Sequence, residues 1–169
     1  MKLKTKIKSK LSRTFSGNFP EAYKKFTMSH MHDYTGMPET RLHKPLSECK
    51  VALLSTAGIH LVTDSPFDVD NPAGDPTFRL IPADAQEDQL TVTHLFIDTK
   101  HAKSDPTIVF PLPQLKELAA DGMIGSVSPI HIGLNGGILD TAEVEREWIP
   151  KVVELLRREE IDVALLVPG

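Results

Sequence analysis

Three histidines and one aspartate are the residues whose types best suit proton chemistry in this chain: His60, His94, His131 and Asp98. An imidazole exchanges its proton near neutral pH, and a nearby carboxylate can orient the ring or share the proton. His94 and Asp98 lie four apart in Leu90–Asp98 (LTVTHLFID), a run rich in β-branched and aromatic residues. A regular strand there puts both on the same face. His60 follows Thr56-Ala57-Gly58 at the exit of the apolar run Val51–Ser55, where Gly58 allows a tight turn and close approach of a ligand to backbone. His131 opens a glycine-rich stretch ending in Asn135-Gly136-Gly137. Exposed amides before a helix there could cradle an anion, although the stretch matches neither a dinucleotide fingerprint nor a P-loop; a flexible connection is the alternative.

Two other clusters carry weaker signals. His30-Met31-His32 is a bare His-x-His in a terminal segment, a poor metal motif. Asp64–Pro76 has the acidic spacing of a calcium loop only superficially. Pro72 occupies the fifth position, Gly74 falls one place late, and no Glu stands twelfth. Proline and Asx turns account for it better.

The elements that must position these residues follow from pattern. Val51–Ser55, Met123–Pro129 and Ile161–Val167 read as buried strands, alongside Leu90–Asp98. Leu112, Leu115, Leu118 and Ala119 line a helix face, with Pro113 near its start and Gly122 beyond its end. A last helix, capped at Asp140 or Thr141, carries the stripe Val144, Trp148, Val152 and Leu155 or Leu156, with a kink expected at Pro150 and Trp148 in the core. Alternation of strands with helices predicts an α/β fold: an open, mostly parallel sheet with flanking helices, incomplete at its C-terminal side. In such a sheet the strand exits Thr56-Ala57-Gly58, Asp98, Ser128 to His131, and Pro168-Gly169 converge on one edge, where ligands bind. Asp162–Gly169 is expected to be a strand buried on both faces.

With 40% hydrophobic and 25% charged residues, the composition is that of a water-soluble globular chain, and 169 residues suit one α/β domain, here residues 50–169. Residues 1–49 form a basic N-terminal arm and irregular segment. Residues 1–25 hold eight Lys or Arg against Glu21 alone, a charge of +7, while the rest carries 11 basic and 22 acidic residues, or −11. The Lys-alternating stretch Met1–Leu11 reads as a strand or a disordered arm; a short helix is plausible around Pro20–Phe26. The arm can dock on an acidic partner or on the chain's own acidic body. Without an aromatic-rich basic groove, no nucleic-acid partner is expected. No apolar run reaches membrane-spanning length, so no membrane partner is expected either. The lone Cys49 fits a reducing compartment, and the expected location is cytoplasmic.

An ordered set of segments carries a family resemblance: Val51–Leu61 (VALLSTAGIHL), Pro66-Phe67-Asp68, Gly74–Arg79 (GDPTFR), Ile81–Asp84, Thr93-His94 with Asp98, Val109-Phe110-Pro111, Ile124–Val127 and Asp162–Gly169. Together they resemble the selenoprotein B subunits of the glycine, sarcosine, betaine and D-proline reductases. Ile97–His101 departs from the family's Tyr-Asp-His-rich pattern, although Asp98 keeps its place. The resemblance implies reductive cleavage of a C–N bond in a small amino-acid substrate. It also implies a selenocysteine, or cysteine, immediately after Gly169, a pyruvoyl group on a partner subunit, other reductase subunits and a thioredoxin-like electron donor. No cofactor is expected within this chain. The expectation is of a chain truncated at a UGA codon and inactive alone. In that setting His94 and Asp98 are the catalytic candidates, and Thr56, Gly58, His60 and His131 the substrate-binding ones. No metal is expected.

Two rival readings come from other classes. A non-catalytic α/β domain would bind a partner through its basic arm and strand edge. A metal-dependent hydrolase would use His60, His94, Asp98 and His101, a ligand set that suits zinc in type but in no strong spacing.

Overall fold

The computed structural model describes residues 2–29, 39–138 and 141–169. In chain order its main elements are α1 (Leu3–Asn18), α2 (Pro20–Ser29), β1 (Lys50–Ser55), β2 (Ile59–Leu61), β3 (Phe78–Pro82), β4 (Leu90–Val92), α3 (Lys100–Ser104), α4 (Leu112–Ala120), β5 (Ser126–Val127), β6 (Ile130–Leu134), α5 (Ile149–Arg158) and β7 (Val163–Val167). His30 and His32 lie outside the described residues, as does Asp140.

β1 is the axis of the sheet. Along one side it pairs in parallel with β7, from Val51 opposite Val163 to Ser55 opposite Val167. Along the other it meets β5 first, Lys50 opposite Ser126, and then β6, Leu54 opposite Ile132, both parallel. β5 and β6 are thus two pieces of one path, broken at Ser128-Pro129 because proline has no amide to give the ladder. β3 runs antiparallel on the outer side of β6. This is the open, mostly parallel α/β sheet that the alternation of elements predicts. A separate antiparallel ribbon joins β2 to β4.

Over β1 and β6 both faces of the sheet are covered. On one, Leu112 and Leu115 of α4 join Leu53, Ile81, Phe110 and Ile124, together with Ile59 and Val92 of the ribbon. On the other, Val152 and Leu155 of α5 lie over Ile132 and Leu134. Each such side chain contributes about 1.5–3 kcal/mol when fully buried.

Several expectations are corrected. The stretch expected as a strand or loose arm is helical from Leu3 on, because α1 spans Leu3–Asn18; its lysines and leucines are good helix formers. The Leu90 strand stops at Val92: after one more bond, from the Thr93 amide to the Gly58 carbonyl (2.9 Å), the amides of Phe96 and Ile97 bond the His94 ring instead of a neighbouring strand. Before Pro150 the chain does not simply kink. It widens into a π-type turn over Val144–Trp148, which gives room where the proline ring and missing amide would break an α-helix. Trp148 is half-buried rather than core, edge-on to Phe78 with Lys151 over its face. β7 is the largest departure. It is an edge strand, with Leu165 44% and Leu166 67% exposed, not one buried on both faces.

Candidate functional site at the strand exits

Thr56 sits where β1, β6 and β7 end together. Its amide donates to the Val167 carbonyl (3.1 Å), its carbonyl accepts from the Gly136 amide (2.7 Å), and its hydroxyl accepts from the Gly169 amide (3.1 Å). One residue therefore ties three strand exits. Asn135 braces the next turn, its Oδ1 accepting the Gly137 amide at 2.9 Å. The exit of the β5–β6 path is thus Asn135–Gly137. Ser128 to His131, expected at that edge, lie within the path instead, near the middle of β1.

Gly58 makes a close approach, to the Thr93 backbone. Its φ is +76°, and a Cβ there would stand 2.1 Å from the Thr93 carbonyl oxygen and 3.6 Å from the His94 Cβ. That proximity brings His94 beside the strand exits. Phe96, read from the sequence only as a strand residue, completes the link: it lies edge-on to His94, and a Cβ on Gly137 would be 3.1 Å from its ring. Loop pairing, not periodicity, puts it there, and no sequence signal marked it.

The histidines divide by their partners. The His94 Nδ1 accepts from the amides of Phe96 (3.1 Å) and Ile97 (3.3 Å), so Nε2 carries the proton. That Nε2 is buried and has no partner among the described residues. Burial pushes the His94 pKa below the usual imidazole value, keeping the ring neutral. His94 also lines a cleft of about 540 Å³ with Asp68, Asp70, Thr93, Thr99 and Lys103. Asp98 is not on a common strand face with it, for its Oδ1 accepts the Lys100 amide (3.1 Å) at the start of α3.

His60 is engaged at both nitrogens. Its Nδ1 donates to the Leu61 carbonyl at 2.7 Å, so Nε2 accepts from the Thr93 hydroxyl at 2.9 Å. His131 is fully buried, and its Nδ1 accepts the Leu53 amide at 2.9 Å. The imidazole fills the gap that Ser128-Pro129 leaves beside β1, acting as a substitute ladder carbonyl. Burial, with the Lys116 charge adding to it, lowers the His131 pKa to about 4.

The acidic loop uses its carboxylates on its own backbone. Asp68 accepts from the Asp70 amide and Asp75 from those of Asp68 and Thr77, as the Asx-turn reading predicts. Among the described residues no three His, Cys, Asp or Glu side chains converge as a metal site would need. Cys49 is buried at the entry end of β1, remote along the strand from these exits.

One curated protein matches much of the chain in sequence. The chain is 35% identical over 130 residues to D-proline reductase subunit gamma of Acetoanaerobium sticklandii, an alignment covering 77% of this chain and 52% of that one. The chain is similar to a reductase subunit. It spans about half the length of that relative. No protein-family model matches the chain, and no solved structure matches it. No helix among the described residues is long and apolar enough to cross a membrane.

Proposed function

We propose that the chain is part of a subunit of an amino-acid reductase, of the kind that cleaves a C–N bond reductively in glycine, betaine, sarcosine or D-proline type substrates. The carrying observation is the 35% identity over 130 residues to a D-proline reductase subunit. The geometry supports a location for the chemistry: the exits of β1, β6 and β7, tied at Thr56 and bordered by Gly58, His94 and Gly136-Gly137.

In this reading a selenolate or thiolate is carried directly after Gly169, at the carboxyl end of β7. A selenol is ionised at neutral pH, whereas a thiol must be brought there by its surroundings. A pyruvoyl group on a partner subunit would supply the carbonyl that activates the substrate amine. Electrons come from a thioredoxin-like dithiol donor, which is oxidised to the disulfide as the C–N bond is reduced. The residues of this chain hold and orient. Thr56 fixes the Gly169 backbone, and Gly58 keeps the neighbouring loop close enough to bring His94 to the edge. The protonated Nε2 of neutral His94 is a hydrogen-bond donor for a substrate carboxylate or leaving nitrogen, once the loop admits one. Asp98, on the same loop, orders the start of α3. His60 and His131 serve the substrate indirectly, through the packing that holds Thr93 and β1 in place.

The gene tests this reading directly. A UGA or cysteine codon following that of Gly169 is the expected result. A codon for another residue, or a UAA or UAG stop, overturns it. Co-purification with a pyruvoyl-bearing subunit is the matching expectation at the protein level.

One observation favours a second reading, a non-catalytic domain that binds a partner. The outer edge of β7, unpaired among the described residues, belongs to a strand that exposes Leu165 and Leu166 and has neither charge nor proline to block pairing. Recovery of this chain with a partner unrelated to any reductase is the result that selects it.

A further inference from the structure

The N-terminal helix has a face that the reductase reading leaves unused. α1 is seated on the body by its polar side. Ser9 is buried, and its hydroxyl donates to the Leu95 carbonyl at 2.8 Å; Thr5 and Ser12 beside it are half-buried. The Lys2 amide adds a tether, donating to the Asp70 carboxylate at 2.7 Å. At 3.6 residues per turn, Leu3, Ile7 and Leu11 fall on the opposite side. They are 74%, 51% and 64% exposed. Lys4 flanks this stripe on one side and Lys6 and Lys10 on the other, all exposed, while Lys8 beside Lys4 reaches back over the Phe96 ring at 5.5 Å. No acidic residue occurs before Glu21.

We infer that α1 is a docking element for an anionic lipid surface: the Leu3–Ile7–Leu11 stripe enters the headgroup region, and the flanking lysines meet lipid phosphates. A row of lysines on an amphipathic helix has this chemistry, with apolar burial and electrostatic attraction adding together. Charge distribution selects this occupant. A second copy docking stripe to stripe would set one basic arm of +7 against another. A nucleic acid would satisfy the lysines but leave the apolar row in water. A protein groove would need to grip a helix whose inner side is already held by Ser9 and Lys2. A planar surface needs only the outward half. The −11 carried by the rest of the chain is repelled from the same surface, which leaves α1 as the side that faces it.

The helix lies on the surface and does not cross it, consistent with the absence of a spanning helix among the described residues. The inference revises the expectation of no membrane partner and does not depend on the reductase reading.

Flotation of the purified chain with vesicles tests it, using pure phosphatidylcholine against phosphatidylcholine containing phosphatidylglycerol. Binding is expected only to the anionic vesicles, with a severalfold loss in 0.5 M salt, since screening shortens the reach of the lysines. The double substitution Ile7→Asn with Leu11→Asn should weaken partitioning roughly tenfold or more. Lys6→Glu with Lys10→Glu should weaken it by a similar factor. All four side chains are exposed, so an unchanged circular dichroism spectrum and melting temperature will show that the fold is intact. Equal binding to neutral and anionic vesicles, no binding to either, or undiminished binding by both variants would overturn the inference.

Discussion

His131 makes the stability of this protein depend on pH in a way that one substitution can isolate. Its Nδ1 holds the Leu53 amide in the gap between β5 and β6, a bond that requires a lone pair and hence a neutral ring. Burial and the positive charge of Lys116 lower its pKa from 6.5 to about 4. Between these values the unfolded chain takes up a proton that the folded chain refuses. Stability from this residue is therefore complete above pH 6.5 and is lost as pH falls toward 4. Each pKa unit corresponds to about 1.4 kcal/mol, so the loss by pH 4 is about 3 kcal/mol, a large share of a typical domain's stability. His94, also lowered by burial, acts in the same direction.

Carboxylates titrate in the same range, so the measurement is a comparison with His131→Asn. An asparagine Oδ1 can accept the Leu53 amide without titrating. Urea denaturation of both proteins from pH 7.5 to 4 should show the wild type losing about 3 kcal/mol more than the variant over that interval. At pH 7 His131→Asn should cost about 1–2 kcal/mol for its smaller volume. His131→Leu, which fills space but leaves the buried amide unpaired, should cost about 1–3 kcal/mol. Parallel pH curves for wild type and His131→Asn would refute the reasoning, as would a His131→Leu protein as stable as the wild type.

Two further substitutions probe the edge that frames the candidate site. Gly58→Ala places a methyl 2.1 Å from the Thr93 carbonyl oxygen in a left-handed backbone, so a loss of at least about 2 kcal/mol is expected by urea denaturation, and a neutral effect would show that the loop is not closely seated on β1. Thr93→Val removes the hydroxyl that donates to the His60 Nε2 and should lower stability by about 1–3 kcal/mol, while Thr93→Ser should restore most of it in thermal melts.

How much of this was legible depended on whether a feature was local or paired. The β1 run Val51–Ser55 and the α4 stripe declare themselves by composition and spacing, and the alternation of elements sufficed for a mostly parallel sheet. Gly58 was legible as a tight-turn position, but that the Thr93 backbone is what approaches it was not. Thr93 to Asp98 were not. Their residue types favour a strand, but strand requires a neighbour, and the three residues of β2 run out at Val92. The same limit hid the role of His131. That an imidazole would replace a carbonyl in the ladder follows from Pro129 interrupting a strand beside β1, a fact of pairing that periodicity does not contain. Nor did any spacing suggest that α1 would turn its serine side inward and its leucines outward.

β7 shows the same limit from the other direction. Val163-Ala164-Leu165-Leu166-Val167 has the composition of a strand covered on both faces and both edges, yet among the described residues only its β1 side is paired. Natural edge strands are guarded by charge, proline or bulges, and this one has none of them. Its pattern therefore reports an environment richer than the one these residues provide for each other. The reductase reading and the partner-binding reading both require such an environment, and they differ in what supplies it. In the first, the covering belongs to a redox centre carried after Gly169 with its companion subunits; in the second, to a binding partner alone. Thr56 favours the first physically. A strand serving only as a docking edge has no need for its end to be tied twice to the exit of β1, through the Thr56 amide and the Thr56 hydroxyl. Such a tie holds the backbone at Gly169 in one place, as a reacting group carried just beyond it would require.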